Sequence, residues 1–355
     1  MRWRSAAAAA LLAAGCAARE PAGPSVLEAA TPDAARHEHT AIRAPEALSL
    51  PFRAPSPQGA RYRIVLEVGG EEELAPAAAA APPQRRSESQ LLELEYRELP
   101  VRGRDDALQQ VLEGLHHRLV QQEPQGVERE VELVSDRLRR LEDGEVVLDL
   151  RGAQPAGDLT PRKVLDRVFA ATQLDSWGNV VAVQSAGEPV ARRFLADFPL
   201  RQALAYARPA LPPHPVAVGA GWNAVRYPVS PAGRLGLAFP VRFLLSGVQE
   251  VEGIPCAWIV FDGRVEGEGV PSAAGFAFER VLATLRGEVW VELESSEIRL
   301  LHLEDEVRVS FQRADLRGDP GERHRLRHST RLRLERRDPH EVATWADGSE
   351  RFGWR

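Results

Sequence analysis

The chain has 355 residues, of which 44% are hydrophobic and 27% charged, and carries a formal net charge of -6 at pH 7. That balance suits a chain that buries a core, not a disordered or membrane-spanning one, and the acidic charge gives no global attraction to polyanions. Lys163 is the sole lysine among 45 basic residues; with such a bias toward arginine, a cluster of arginines is by itself weak evidence of phosphate recognition.

The chain opens with "MRWRSAAAAALLAAGC": Arg2 and Arg4, an apolar stretch over residues 6–14, then small residues up to Cys16. This is the layout of a secretory signal over residues 1–15, and the apolar stretch is about half the ~20 residues a membrane-crossing helix needs. Ala13, Ala14, Gly15 and Cys16 resemble the lipobox of bacterial lipoproteins, with Ala13 where that family usually has Leu. The resemblance implies that Cys16 carries lipid and becomes the first mature residue. Two or three acyl chains hold a protein stably to a bilayer, at roughly 0.8 kcal/mol per buried methylene. Ala17, where an Asp would favour the inner membrane, implies the outer membrane of a Gram-negative cell. The alternative is an ordinary cleaved signal with Cys16 incidental. The second cysteine, Cys256, then has no partner, and no CxxC or Cys/His spacing suggests zinc or a redox pair.

Residues 16–58 are rich in Ala, Pro, Glu and Arg without apolar periodicity and read as a flexible tether. His37 and His39 form an HxH pair with no companion ligands, so solvated linker residues are expected and no metal. Residues 59–338 read as a β-rich domain with a possible subdivision near 205–215. Period-2 alternation marks strands in "RYRIVLEV" (61–68) and "LLELEYREL" (91–99), separated by a low-complexity loop over 74–89. Asp143-Gly144 between apolar runs predicts a tight hairpin, and "RLGLAFPVRFLLSGVQEVEGIPCAWIVFDGRVEG" (234–267) predicts a second, turning near Glu252-Gly253. Further strands are expected in "GEVWVELESSEIRLLHLEDEVRVSF" (287–311), turning near Ser295-Ser296, and in "HRLRHSTRLRLERR" (324–337).

Helices are expected in three places. "DDALQQVLEGLHHRLVQQ" (105–122) places Leu108, Val111, Leu112, Leu115 and Leu119 on one helical face with Asp105 as cap. "LTPRKVLDRVFAATQL" (159–174) has Thr160 as cap and Pro161 at the first position. "VARRFLADFPLRQALAYA" (190–207) suggests one or two short helices. The expected class is therefore α+β: a large curved antiparallel sheet of about ten strands with two or three helices, followed by a tail over 339–355 whose Trp345, Phe352 and Trp354 suggest a docking strand or a partner motif.

The elements "HPVAVGAGW", "GLAFPVRFLLSGVQEVEGIPCAWIVFDG" and "GEVWVELESSEIRLL" resemble a pattern in uncharacterised secreted bacterial proteins and lipoproteins. That pattern combines P-x-x-V-G-x-x-W, a Gly-centred hairpin and a turn normally carrying Gly, where this chain has Glu297. The resemblance implies a curved antiparallel sheet, similar to the half-barrel of periplasmic lipoprotein carriers, and no activity.

Nucleophile elbows, phosphate loops, zinc helices and dinucleotide fingerprints are absent from the sequence. "GEGVPSAAG" (267–275) lies between strands and so lacks the helix N-terminus that a phosphate loop needs. His116 and His117 are neighbours on the expected helix and could not share a metal, and His302 reads as a sheet-face histidine. In "ERHRLRHSTRLRLERR", Arg325, Arg327, Arg331 and Arg333 share one strand face; such a row could bind phosphates, or equally pair with the acidic rows of "LEDEV" and "VELESSE", and contact with anionic lipid headgroups or cell wall is favoured over nucleic acid. Phe239, Phe243, Trp258, Phe261 and Trp290 are the candidate surface for an apolar ligand or partner, with core packing as the alternative. The expected function is a lipid-anchored envelope protein that binds or scaffolds an envelope protein or lipid, with no catalysis and no cofactor. The alternatives are a carrier of apolar ligands on the concave sheet face, and an unrecognised hydrolase.

Overall fold

The computed structural model describes residues 40–50, 59–75, 83–100, 109–122, 128–134, 137–151, 168–174, 180–185, 204, 207–212, 214–226, 236–272, 276–314 and 320–337. The chain divides into Met1–Glu38, which lies outside these residues, and one compact unit, His39–Arg355. Every element in the described residues is a strand. Along the chain these are β1 (Thr40–Ile42), β2 (Ala60–Ala75), β3 (Gln84–Pro100), β4 (Gln109–Gln122), β5 (Glu128–Val134), β6 (Arg137–Glu142), β7 (Glu145–Arg151), β8 (Val168–Leu174) and β9 (Val180–Ser185). They continue as β10 (Gly221–Arg226), β11 (Phe239–Val251), β12 (Ile254–Gly267), β13 (Val270–Pro271), β14 (Ala277–Phe278), β15 (Arg280–Glu292), β16 (Ile298–Ala314) and β17 (Pro320–Arg337).

The expected α+β class is therefore corrected to all-β. Fifteen strands form one sheet, in the order β1-β11-β12-β15-β16-β17-β2-β3-β4-β5-β6-β7; β10 also pairs with β11, and β8 joins β4 to β9. The expected helix over 105–122 is strand β4, hydrogen-bonded to β3 along its length and to β5 and β8 on its other side. Its misreading has a simple cause. Leu108, Val111, Leu112, Leu115 and Leu119 recur at the three- and four-residue spacing of a helix face, and a register shift between Gly114 and His116 interrupts the strand's own alternation. Ladder pairing on both sides then decides the conformation over local propensity. The expected helix over 159–174 ends in strand β8; its earlier part, most of the one over 190–207, and the segments holding Cys16, His37, His39, Trp345, Phe352 and Trp354 lie outside the described residues.

The hairpins form where expected. Asp143 and Gly144 both have positive φ (49° and 80°), as do Glu252 and Gly253 (51° and 81°), the two-residue turn whose twist matches that of the strands it joins. Alternation then sorts the side chains. In β2, Tyr62, Ile64, Leu66 and Val68 are buried while Arg61, Arg63, Val65 and Glu67 face a wetter side. The buried sets of β2, β3, β11, β12, β15, β16 and β17 join into one apolar layer on what we call the inner face. Full burial of each such side chain contributes roughly 1.5–3 kcal/mol.

A strap containing Leu204, Ala207 and Leu211, together with Leu48, Leu50 and Leu237, covers part of that layer. Polar contacts fasten it: Arg208 pairs with the buried carboxylate of Glu98, Arg226 donates to the Arg208 carbonyl, and Trp222 Nε1 donates to the Ala210 carbonyl at 2.6 Å. Trp222 closes the P-x-x-V-G-x-x-W element, whose Gly219 supplies a positive φ of 87°. At the far edge, β7 exposes Val146 and Val147, and the register steps from Arg140–Leu148 to Leu141–Val146, which makes Val147 a bulge in β7 itself. Such a bulge discourages pairing with a further strand.

Candidate functional site

On the outer face the strand register lines up residues from distant parts of the chain. Arg286 lies opposite Glu304, Glu304 opposite Arg331, and Arg331 opposite Glu67, so charge alternates from strand to strand. The Arg286–Glu304 pair closes to 2.7 Å, and Arg331 lies 3.8 Å from Glu304 and 4.0 Å from Glu67. Further over, Glu93 is shared by Arg63 at 3.3 Å and Arg118 at 3.2 Å. Two arginines of the β17 row are matched as the sequence suggested, while Arg325 meets Glu73 of β2 and Arg333 meets Glu335 of its own strand. Arg327 and Arg331 meet the acids of "LEDEV", and Arg336 meets Glu292 and Glu297 of "VELESSE".

The matching fails at one end of the sheet. Two adjacent rows cross the same five strands there: Arg280, Ser310, Arg325, Glu73 and Arg85 in the first, and Leu282, Arg308, Arg327, Glu71 and Ser87 in the second. Together they line a trough of about 820 Å³ whose walls carry six arginines against three glutamates. Arg308 stands directly opposite Arg327, a like-charge juxtaposition that costs sheet stability. Glu306 relieves it, lying 2.5 Å from Arg308 and 3.6 Å from Arg327. Glu73 serves both Arg325 at 3.0 Å and Arg85 at 3.3 Å. Arg280 has no carboxylate partner among the described residues. A concave surface with uncompensated guanidinium groups in fixed register favours anions, because guanidinium forks match carboxylate and phosphate oxygens.

The five aromatics proposed from sequence do not form one surface. Phe239, Phe243 and Phe261 belong to the inner layer, at 0%, 1% and 6% exposure. Trp222 stacks on Phe243 at 5.6 Å between ring centroids, and Phe243 meets Phe261 at 5.2 Å. The space between these rings, Pro209 of the strap and Leu285, Leu301 and Leu303 is about 10 Å³, room for at most about one water molecule. Trp258 and Trp290 are register partners on the opposite, outer face, where Trp290 joins a small cluster with Val251, Cys256 and Leu300. Their indole N–H groups donate to Glu288 and Gln249. Sequence parity holds the signal for this split, since Trp258 and Phe261 are an odd number of residues apart in one strand.

The other singled-out residues fall into structural surroundings. His302 Nδ1 lies 3.6 Å from Glu288, with its ring edge-on to Trp290. Cys256 is buried and free, and burial, with Glu292 nearby, pushes its thiol up to about 12. His116 and His117 lie in strand β4. Among the described residues no group of three or more His, Cys, Asp or Glu side chains could hold a metal, and no helix is long and apolar enough to cross a membrane.

The trough was missed in the sequence because its two rows join two remote parts of the chain, the pair β2–β3 and the run β15–β17. The available signal was an excess of arginine over acid at positions 280, 308, 325 and 327.

No family model matches the chain, and no curated protein does either. Among solved structures, it is similar to a chain of a lipovitellin structure described by its lipid–protein interactions, at 12% identity and a TM-score of 0.41 over 81% of this chain and 26% of that one. This chain thus matches about a quarter of that chain's length. It is also similar to two Pseudomonas aeruginosa proteins, OccK2 (OpdF) and OpdQ, each with a TM-score of 0.14. OccK2 has 7% identity over 78% of this chain and 97% of its own, and OpdQ 6% over 79% and 98%. Identities and TM-scores this low carry no function over to this chain.

Proposed function

We propose that this protein is an envelope lipoprotein, held by lipid on Cys16 to the outer membrane of a Gram-negative cell, and that it binds anionic lipid headgroups without catalysis. The trough on the outer face carries this reading. It gathers guanidinium groups from four strands, β3, β15, β16 and β17, on a chain whose net charge is acidic, and the part of the expected tether that precedes β1 would let that surface meet the membrane. A carrier of apolar ligands is less well supported, because at Phe243 and Phe261 the strap leaves only about 10 Å³ and would have to move aside.

Two measurements test the two halves of the proposal. Mass spectrometry of the mature N-terminus should find diacylglyceryl on Cys16; an unmodified cysteine or cleavage elsewhere refutes the anchor. Flotation of the unlipidated Cys16→Ala chain with phosphatidylcholine vesicles containing 30% phosphatidylglycerol should recover the protein in a salt-sensitive manner. The double change Arg308→Gln/Arg327→Gln should release it, and binding indifferent to these arginines would refute the headgroup reading.

A further inference from the structure

The trough is not uniform. In its first row Ser310 lies in β16 between Arg280 of β15 and Arg325 of β17, each directly opposite it in register. Neighbouring strands are about 4.8 Å apart, so the two guanidinium groups spring from backbones about 10 Å apart with the serine hydroxyl midway between them. Arg308, two residues before Ser310 in the same strand, shares its face. The main chain of Ser310 is occupied, its carbonyl accepting from Glu279 N–H at 2.8 Å, while its hydroxyl has no partner among the described residues. Arg280 is exposed and unpaired there as well. Arg325 reaches Glu73 through Nη1 and Arg308 reaches Glu306 through Nε and Nη2, which leaves Arg325 Nε and Nη2 and Arg308 Nη1 as further donors.

Resting on the headgroup reading above, the geometry points to a discrete phosphoryl seat over Ser310, with Arg280 and Arg325 as its two sides and Arg308 at its end. The donors come from three strands and approach from more than one direction. A tetrahedral phosphate presents three oxygens to such an arrangement, whereas a planar carboxylate presents two in one plane and is satisfied by a single fork. The seat therefore selects a phosphate monoester, with its three free oxygens, over a carboxylate. The same chemistry occurs in a phospholipid headgroup and in a soluble phosphate ester.

Calorimetry of the unlipidated Cys16→Ala chain with sn-glycerol 3-phosphate, inorganic phosphate and acetate at matched ionic strength separates these possibilities when run beside flotation of the same chain on phosphatidylcholine vesicles doped with phosphatidic acid or with oleate. Both phosphates should bind at least about tenfold more tightly than acetate. Arg280→Gln should weaken phosphate binding by about tenfold and Ser310→Ala by a few-fold, the scale of one charge-assisted and one neutral hydrogen bond. Arg264→Gln, an outer-face arginine outside the trough, should change nothing. Equal affinity for acetate and phosphate, or wild-type phosphate binding by Arg280→Gln and Ser310→Ala, overturns the seat. Trough-dependent flotation equal on oleate and phosphatidic acid overturns the seat and leaves the headgroup reading standing. Phosphate binding sensitive to Arg280→Gln with no flotation on either vesicle supports the seat for a soluble ester and overturns the headgroup reading.

Discussion

Gly287 and Gly247 are both strand glycines of this sheet, yet alanine should have opposite effects at the two positions. Gly287 lies directly opposite Phe261 in the ladder, and the ring of Phe261 rests on its bare Cα. A Cβ there would sit 2.4 Å from the His302 carbonyl oxygen and 2.4 Å from Phe261 Cζ, inside the 3.0 Å that Cβ contacts respect. Phe261 could turn away, but the carbonyl is main chain, so β15 and β16 would have to part by several tenths of an ångström within a layer already packed to the density of a crystal. Overpacking of this kind costs about 1–3 kcal/mol, and the upper half of that range is expected because a backbone atom is involved. At Gly247 a Cβ meets nothing within 4 Å and the φ is ordinary. There alanine restricts the unfolded chain without strain and should stabilise by about 0.4–1 kcal/mol. Guanidinium unfolding followed by tryptophan fluorescence reads both, with Trp258 and Trp290 as reporters in the adjoining strands. An unchanged or raised midpoint for Gly287→Ala would refute the account of why glycine occupies that position.

Two further outcomes follow from buried groups. His328 is 3% exposed, neither ring nitrogen has a partner, and its ring lies over Gly70. Burial holds its value below the ordinary 6.5, with Glu72 opposing. The folded state then takes up its proton later than the unfolded chain, so this contribution to stability is whole above about pH 6.5 and declines as pH falls toward the folded-state value. Unfolding midpoints between pH 7.5 and 5 should show that decline, and His328→Gln should flatten it; an equal slope in the variant would assign the dependence to other groups. Cys256, raised to about 12 and buried, should resist a thiol reagent at pH 8 in the native protein and react once unfolded. Rapid labelling of this cysteine in the native state would contradict its placement.

Local patterns in the chain revealed much of this fold and misled in two places, over 105–122 and at the end of 159–174. Turn residues announced both hairpins, because Gly144 and Gly253 follow residues able to take positive φ between alternating runs. Alternation in β2, β3 and β17 assigned faces correctly, and from it came the expectation that arginines of β17 meet Glu304 and Glu306. Over 105–122 the apolar spacing is that of a helix face, and the deciding fact, hydrogen-bonded neighbours on both edges, lies in other segments of the chain. The trough is illegible for the same reason. Arg280, Arg308 and Arg325 meet through the successive pairings of β15, β16 and β17, but Arg85 and the glutamates of β2 join them only when β17 pairs with β2, a junction that no local pattern announces.

Net charge and local charge disagree in sign on this molecule, and the disagreement acts over different distances. Well beyond the roughly 10 Å over which salt screens charges, an anionic surface meets a body of charge -6 and repels it weakly. Within that distance, among the described residues, the outer-face ladder alternates arginine with glutamate, and the end bearing Arg280, Arg308, Arg325 and Arg327 carries an excess of guanidinium groups that attracts. The molecule thus carries a built-in torque: any negatively charged partner turns it until that end leads.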